Sequence, residues 1–389
     1  MNTIHLRELY AEGELFAQGV QAGEFVFLAQ DARGDDGTLG KYETARSQTQ
    51  RTLENLSALL TSIGQTLNEL VSLFVFLSNY DDAPDVADVL RFNLKTNYPA
   101  VNFVGVCGLD GHCRVRVDAI STTSPNREII SIPELPLSLG AISHGVRVGD
   151  LVFLSGVDAA DARRHVTPPI TIESQTEDVL RRIEKILNHE KLDLRNLCRT
   201  FMFMPSTQYR HGYGAARKKI YQGVFADDAF PPNSGIYIHS LGEDILLRSA
   251  AIAYRGKQTL VTSPNVRKAP GSFSQSVRMG DWLLLAGQDA VGFNREVEGE
   301  GSLAGQTEAT LRHTKDIVEA AGGTLDDIVK TTVYLTEGTD RAEFAEAYRK
   351  FFQTHKKNSG MPTGLTVGVR ELSPRCLVEI DSVALLRRG

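Results

Sequence analysis

Three apolar runs, each entered through a glycine and an acid, divide the chain. They are Phe25-Val26-Phe27-Leu28 after Gly23-Glu24, Leu151-Val152-Phe153-Leu154 after Gly149-Asp150, and Trp282-Leu283-Leu284-Leu285 after Gly280-Asp281. Each reads as a buried strand leaving a tight turn. A polar stretch follows, and in the first copy Leu53, Leu56, Leu60 and Ile63 then fall on one helical face. Leu311, Ile317, Val318 and Ala321 approximate that face in the third copy. Gly64 and Gly322 stand where these helices need a residue tolerant of positive φ to stop. Second strands are predicted over 70–77, 197–204 and 328–335, rich in Val, Ile, Phe and Thr. A second helix follows in each copy, clearest over 341–352. After Pro99, Pro231 and Pro362 come closing strand pairs: 101–106 with 114–120, 235–239 with 245–253, and 365–369 with 377–385.

The copies stay in register. The glycine-acid runs recur at offsets of 126 and 131 residues, Gln48-Thr49 returns as Gln175-Thr176 and Gln306-Thr307, and the prolines are 132 and 131 apart. The chain is therefore three tandem copies of one α+β module of ordinary domain size. The copies are expected over 1–121, 133–255 and 266–389. Linkers are expected over 122–132 and 256–265, marked by Ser124-Pro125-Asn126 and Ser263-Pro264-Asn265. A sheet with both helices on one side must cover its other face, and an equivalent sheet from a neighbouring copy does so. This predicts a pseudo-trimer within one chain, with a central β-barrel-like core and the helices outside.

Bulk properties narrow the partners. The 389 residues are 42% hydrophobic and 23% charged, within the ordinary globular range. A formal net charge of -6 leaves no basic field for phosphates, so a small molecule is expected and nucleic acid is not. Cys107, Cys113, Cys198 and Cys376 show no Cys-x-x-Cys spacing and read as reduced thiols. The scattered histidines offer no zinc spacing. Residues 1–10 mix His5, Arg7 and Glu8 with apolar positions, unlike a signal peptide. The longest apolar run, 70–77, is too short to span a bilayer. A cytoplasmic monomer or low-order homo-oligomer is expected.

The third copy, with Ala286-Gly287-Gln288, Ile328-Val329-Lys330-Thr331-Thr332-Val333-Tyr334-Leu335, the stretch 348–352, and Val378-Glu379-Ile380-Asp381, resembles the RidA/YjgF family of enamine and imine deaminases. The first two copies resemble diverged relatives. The resemblance implies chorismate-mutase-like modules, three ligand clefts between them, and no metal or organic cofactor. Family deaminases place an arginine two residues after the third-strand proline; Val101, Asn233 and Gly364 stand there. The family cysteine two residues on is Phe103, Gly235 and Thr366, and the water-positioning glutamate is Arg116, Arg248 and Glu379. The tyrosine before the first strand becomes Phe16, Ile142 and Phe273.

The expected function is a cofactor-independent hydrolase or deaminase acting on a small anionic enamine, imine or amino-dienoate in an inter-repeat cleft. Glu379 and Thr366 are the candidate catalytic residues. Arg116 and Arg248 are candidates for a substrate carboxylate, Phe273 and Phe16 for apolar walls, and Gln288 and Asn233 for further substrate contacts. A cleft holding Glu379 together with Arg116 or Arg248 would restore an anion-binding group from another strand. Asp31, Asp158 and Asp289, present in every copy, are expected to organise a turn rather than to react. Two other readings follow from the same residues: a chorismatase-like hydrolase or lyase, and a ligand-binding or interaction protein without chemistry.

Overall fold

The glycine-acid pairs turn three hairpins, Gly19–Ala22 with Phe25–Asp31, Gly145–Val148 with Leu151–Leu154, and Ser276–Met279 with Trp282–Leu285. Gly23, Gly149 and Gly280 take φ of 58°, 56° and 58°, a region that a Cβ disfavours. These hairpins belong to a computed structural model that describes residues 2–4, 15–34, 36–226, 229–268, 271–357 and 360–386. Most of segment 1–10, expected not to be a signal peptide, lies outside the described residues. Among the described residues no helix is long and apolar enough to cross a membrane.

Each unit carries two helices: α1 (Ala45–Ser62) and α2 (Ala83–Leu94), α3 (Ile172–His189) and α4 (Arg210–Gln222), α5 (Leu303–Ala320) and α6 (Arg341–His355). The first helix of each pair is capped by Thr44, Thr171 or Ser302, whose hydroxyl accepts from a backbone N–H three residues on. The repeated Gln-Thr lies one turn inside. Gln48, Gln175 and Gln306 each accept from the backbone just before the last strand, at Arg114, Leu246 and Leu377. Their amides donate to carbonyls of Tyr42, Asp244 and Arg375. The recurring glutamine is thus a pin between helix and strand, which accounts for its persistence without any role in chemistry.

The last strand lies in the middle of each sheet, between the hairpin and the parallel pair joined by the second helix. Strands Leu70–Leu77 and Leu197–Met204 have the predicted bounds, and Ile328–Thr336 adds one residue. The expected linkers are not wholly irregular: Arg127–Ile130 and Thr259–Val261 pair as edge strands with the hairpins of units two and three.

The three sheets meet through their aromatic residues. Among the described residues they remain separate sheets of six, seven and seven strands, so the expected barrel-like centre is not a closed barrel. Phe25 meets Phe153 and Trp282 edge-on, each at 5.8 Å between ring centroids, and Phe27 meets Trp282 at 5.7 Å. The units also exchange backbone hydrogen bonds. Cys107 N donates to Gly368 O (2.8 Å), His239 N to Gly105 O (3.0 Å) and Arg370 N to Tyr237 O (2.9 Å).

Two interfaces also carry a buried ion pair from one register position. Arg199 of unit two binds Asp381 of unit three at 2.7 Å, and Lys330 of unit three binds Asp118 of unit one at 2.6 Å. At the interface of units one and two the matching residues are Ser72 and Ala250, so both charges are replaced together. Loss of one partner alone would leave a buried charge uncompensated. Because Phe25 touches both other units, Phe25→Ala should lower the unfolding free energy by about 3–5 kcal/mol. Urea unfolding of the variant beside the parent protein reads this directly.

Candidate functional site

The edge strands Ala100–Gly105, Asn233–Tyr237 and Thr363–Val369 each face the next unit, and the three interfaces they create have different fates. Between units one and two the space is filled by side chains. Phe103 presses on Gly140, where a Cβ would lie 2.4 Å from its ring. Arg248, 1% exposed, donates to Phe103 O and to Asp158, each at 2.7 Å. Burial alone would push the Asp158 carboxyl up, but Arg248 and Arg164 hold it down at about 2. Arg248, expected to bind substrate, is engaged here in a structural ion pair.

Between units three and one lies a cavity of about 370 Å³ lined by Phe16, Gln30, Asp31, Arg33, Arg116, Gly364 and Thr366. Its charges are already paired. Arg116 binds Asp110 at 2.7 Å and approaches Asp31 at 3.5 Å, while Arg33 grips Asp31 side-on through Nε and Nη2. Thr366, Arg116 and Phe16 are therefore brought together, but away from Glu379.

Between units two and three a larger cavity of about 610 Å³ opens. Glu379, Gln288, Asn233 and Phe273 all line it, four of the sequence candidates in one place. The expected pairing of Glu379 with Arg116 or Arg248 does not occur, since each of the three faces a different interface. The reason is topological. Glu379 lies on a central strand that faces unit two, whereas Thr366 lies on the edge strand of the same sheet and faces unit one.

Glu379 and Asp381 alternate onto one face of strand Val378–Leu385. Asp381 is saturated: it accepts from Arg199 (2.7 Å), from Tyr334 OH (3.0 Å) and from a close Ser234 hydroxyl. The Glu379 carboxyl lies over Gly287, where a Cβ would sit 2.0 Å from Oε1, so only glycine leaves it room. Burial, then the Asp381 and Asp289 carboxylates, raise its pKa well above the usual carboxylate range, against the pull of Arg199 and Arg210. The surroundings of Glu379 thus favour the proton-bearing form of its carboxyl. Tyr237, also lining the cavity, is raised to about 12 by burial.

Asp289 behaves as the recurring aspartate should. It accepts from the Val291 amide at 3.1 Å and from Arg267 at 3.1 Å, as Asp158 accepts from Ala160 N and Asp31 from Arg33 N. It shapes the turn that seats Gln288.

Residues the sequence reading passed over come chiefly from α4. Arg210, Tyr213 and Arg217 follow one another at spacings of three and four, on one face, and all line the cavity. That spacing was available as a signal. The interface toward which it points was not.

A sequence model of the family described as Endoribonuclease L-PSP matches residues 7–123, 133–255 and 265–386. A RutC family protein of Pyrococcus horikoshii is 33% identical over 125 residues, 32% of this chain and 95% of the relative. The 2-iminobutanoate/2-iminopropanoate deaminase of Escherichia coli K12 is 33% identical over 127 residues, 33% of this chain and 97% of the relative. Over 94% of the chain the fold is similar to that of a crystallised chorismatase, whose whole chain is covered, with a TM-score of 0.58 and 12% identity.

The raised Glu379 pKa has a consequence for stability. Above the pKa of an unfolded glutamate the unfolded chain loses this proton while the folded chain keeps it, so folding is progressively disfavoured as pH rises toward the folded pKa. Glu379→Gln should remove that dependence and gain stability over the parent at pH 7 relative to pH 4. Paired urea titrations at the two pH values measure the difference.

Proposed function

The chain belongs to the Endoribonuclease L-PSP family, the RidA/YjgF group, in three tandem copies, and from that premise we propose that it hydrolyses the C–N bond of a small anionic enamine or imine in the cleft between units two and three. One observation carries the reading: a buried Glu379, its pKa raised by burial and by neighbouring carboxylates, facing a cavity of about 610 Å³. Water adds to the imine carbon, and Glu379 gives its proton to the nitrogen and recovers one from the added water. Glu379 then protonates the amine of the resulting carbinolamine and takes up the hydroxyl proton as the C–N bond breaks, leaving a carbonyl and ammonia. Gln288 and Asn233 offer amide groups to orient the substrate, and Phe273 offers an apolar wall. The E. coli relative named as an imino-acid deaminase supports this class of reaction. Thr366, in the other cleft, has no part in the step.

The size of the cavity favours a second reading alongside it, a chorismatase-like hydrolase or lyase acting on a larger carboxylated substrate with the same acid. About 610 Å³ lies within the range of drug-sized ligands and is generous for a four-carbon imino acid.

Ammonia release from a panel of 2-imino acids generated in the assay, with pyruvate release from chorismate run in parallel, decides between the two. In whichever assay responds, Glu379→Gln should lower turnover by about 100-fold or more. Unchanged turnover in that variant would remove Glu379 from the chemistry. Silence in both assays would leave a binding protein.

A further inference from the structure

Among the described residues three arginines are buried: Arg199, Arg217 and Arg248, at 3%, 4% and 1% exposure. Arg199 has Asp381 and Arg248 has Asp158. Arg217 has no carboxylate. Its Nη1 donates to Tyr213 OH at 2.8 Å, and the rings of Tyr213 and Tyr221 cover it at 4.9 and 5.7 Å from their centroids. Its Nε is buried and without a partner. Nη2 lies at the cavity wall, 3.9 Å from where a Cβ on Gly271 would be.

The edge without a partner in the chain is the Nε–Nη2 edge, with Nε buried and Nη2 toward the cavity. This edge grips carboxylates at three other places in the chain: Arg33 on Asp31, Arg114 on Asp82 and Arg195 on Asp193 are bound side-on through these two nitrogens. The position in the fold is equally telling. Arg217 is the eighth residue of α4, and the eighth residues of α2 and α6 are Leu90 and Tyr348, both fully buried core side chains. In unit two alone this position holds a cation, and unit two alone sets it against a cleft lined by the buried Glu379 of the far unit. Burying a guanidinium without a counter-ion is costly. The cost makes sense if the counter-ion arrives with the ligand.

We propose that the Nε–Nη2 edge of Arg217 is a carboxylate subsite, so that the ligand of this cleft is a carboxylic acid anchored from helix α4. This deepens the cleft reading above and rests on it for the identity of the site. It does not need turnover to be tested. Each of two carboxylates, benzoate and 2-oxobutanoate, is titrated calorimetrically into the full-length protein beside its uncharged amide.

At least one acid should bind the parent and raise its melting temperature, and its amide should bind at least about 10-fold more weakly. Arg217→Leu, the residue of the matching position in α2, should weaken the acid by about 30-fold or more and abolish the melting shift. Arg217→Lys keeps a charge but not the planar fork, and should give an intermediate loss. Equal binding of acid and amide, no binding of either acid to the parent, or undiminished binding by a folded Arg217→Lys would overturn the subsite. Binding that depends on Arg217 in a protein that releases no ammonia would sink the deaminase reading and leave the subsite standing.

Discussion

Each sheet has one face that its own helices cannot cover, and everything else in the molecule follows from how that face is buried. The sheets cover one another around the contact of Phe25, Phe153 and Trp282. That packing sets the edge strands against neighbouring units and so creates the three interfaces where side chains from two units can converge. Removing the mutual cover would expose apolar faces and dissolve every cleft at once. The sites are in this sense products of packing between units rather than of any unit alone.

Because the units share one chain, the three interfaces have drifted apart. One is solid, with Phe103 and Arg248 occupying the space a ligand would take. One is open but charge-balanced by Asp31, Asp110, Arg33 and Arg116. One is open and unbalanced: a carboxyl of raised pKa on unit three lines the cavity with Arg210 and Arg217 of unit two, which have no acid partner among the described residues. The imbalance is what separates a reactive cleft from a filled seam, and it arises from few positions. A phenylalanine at 103 where unit two has Gly235 closes one interface; an arginine at 217 where unit one has Leu90 charges another.

Much of this architecture was legible in the residues. The turn glycines, the Gln-Thr pairs and the prolines recur because each serves a local constraint, a positive φ, a side-chain pin and a strand entry, that operates identically in every copy. Glu379, Gln288, Asn233 and Phe273 could be named as candidates because each stands at a repeated position of the module. The allocation of residues to clefts was not legible. Thr366 and Glu379 are thirteen positions apart in one sheet, yet they serve different neighbours because one strand is at the edge and the other is central. Arg116 and Arg248 share Glu379's register but each faces its own interface. Arg217 escaped because its importance lies in a missing partner, and a missing partner is a property of packing.

The ion pairs beneath the clefts carry one more implication. At this register unit three bears both a cation, Lys330, and an acid, Asp381; unit two bears Arg199 and Ala250, and unit one bears Ser72 and Asp118. Docked on copies of itself, unit three would match every charge. Unit two would bury an orphan arginine at each seam, and unit one an orphan aspartate. At this register the third module alone carries both halves of the ion pair, whereas each of the other two carries one half and finds its complement in a neighbour on the same chain.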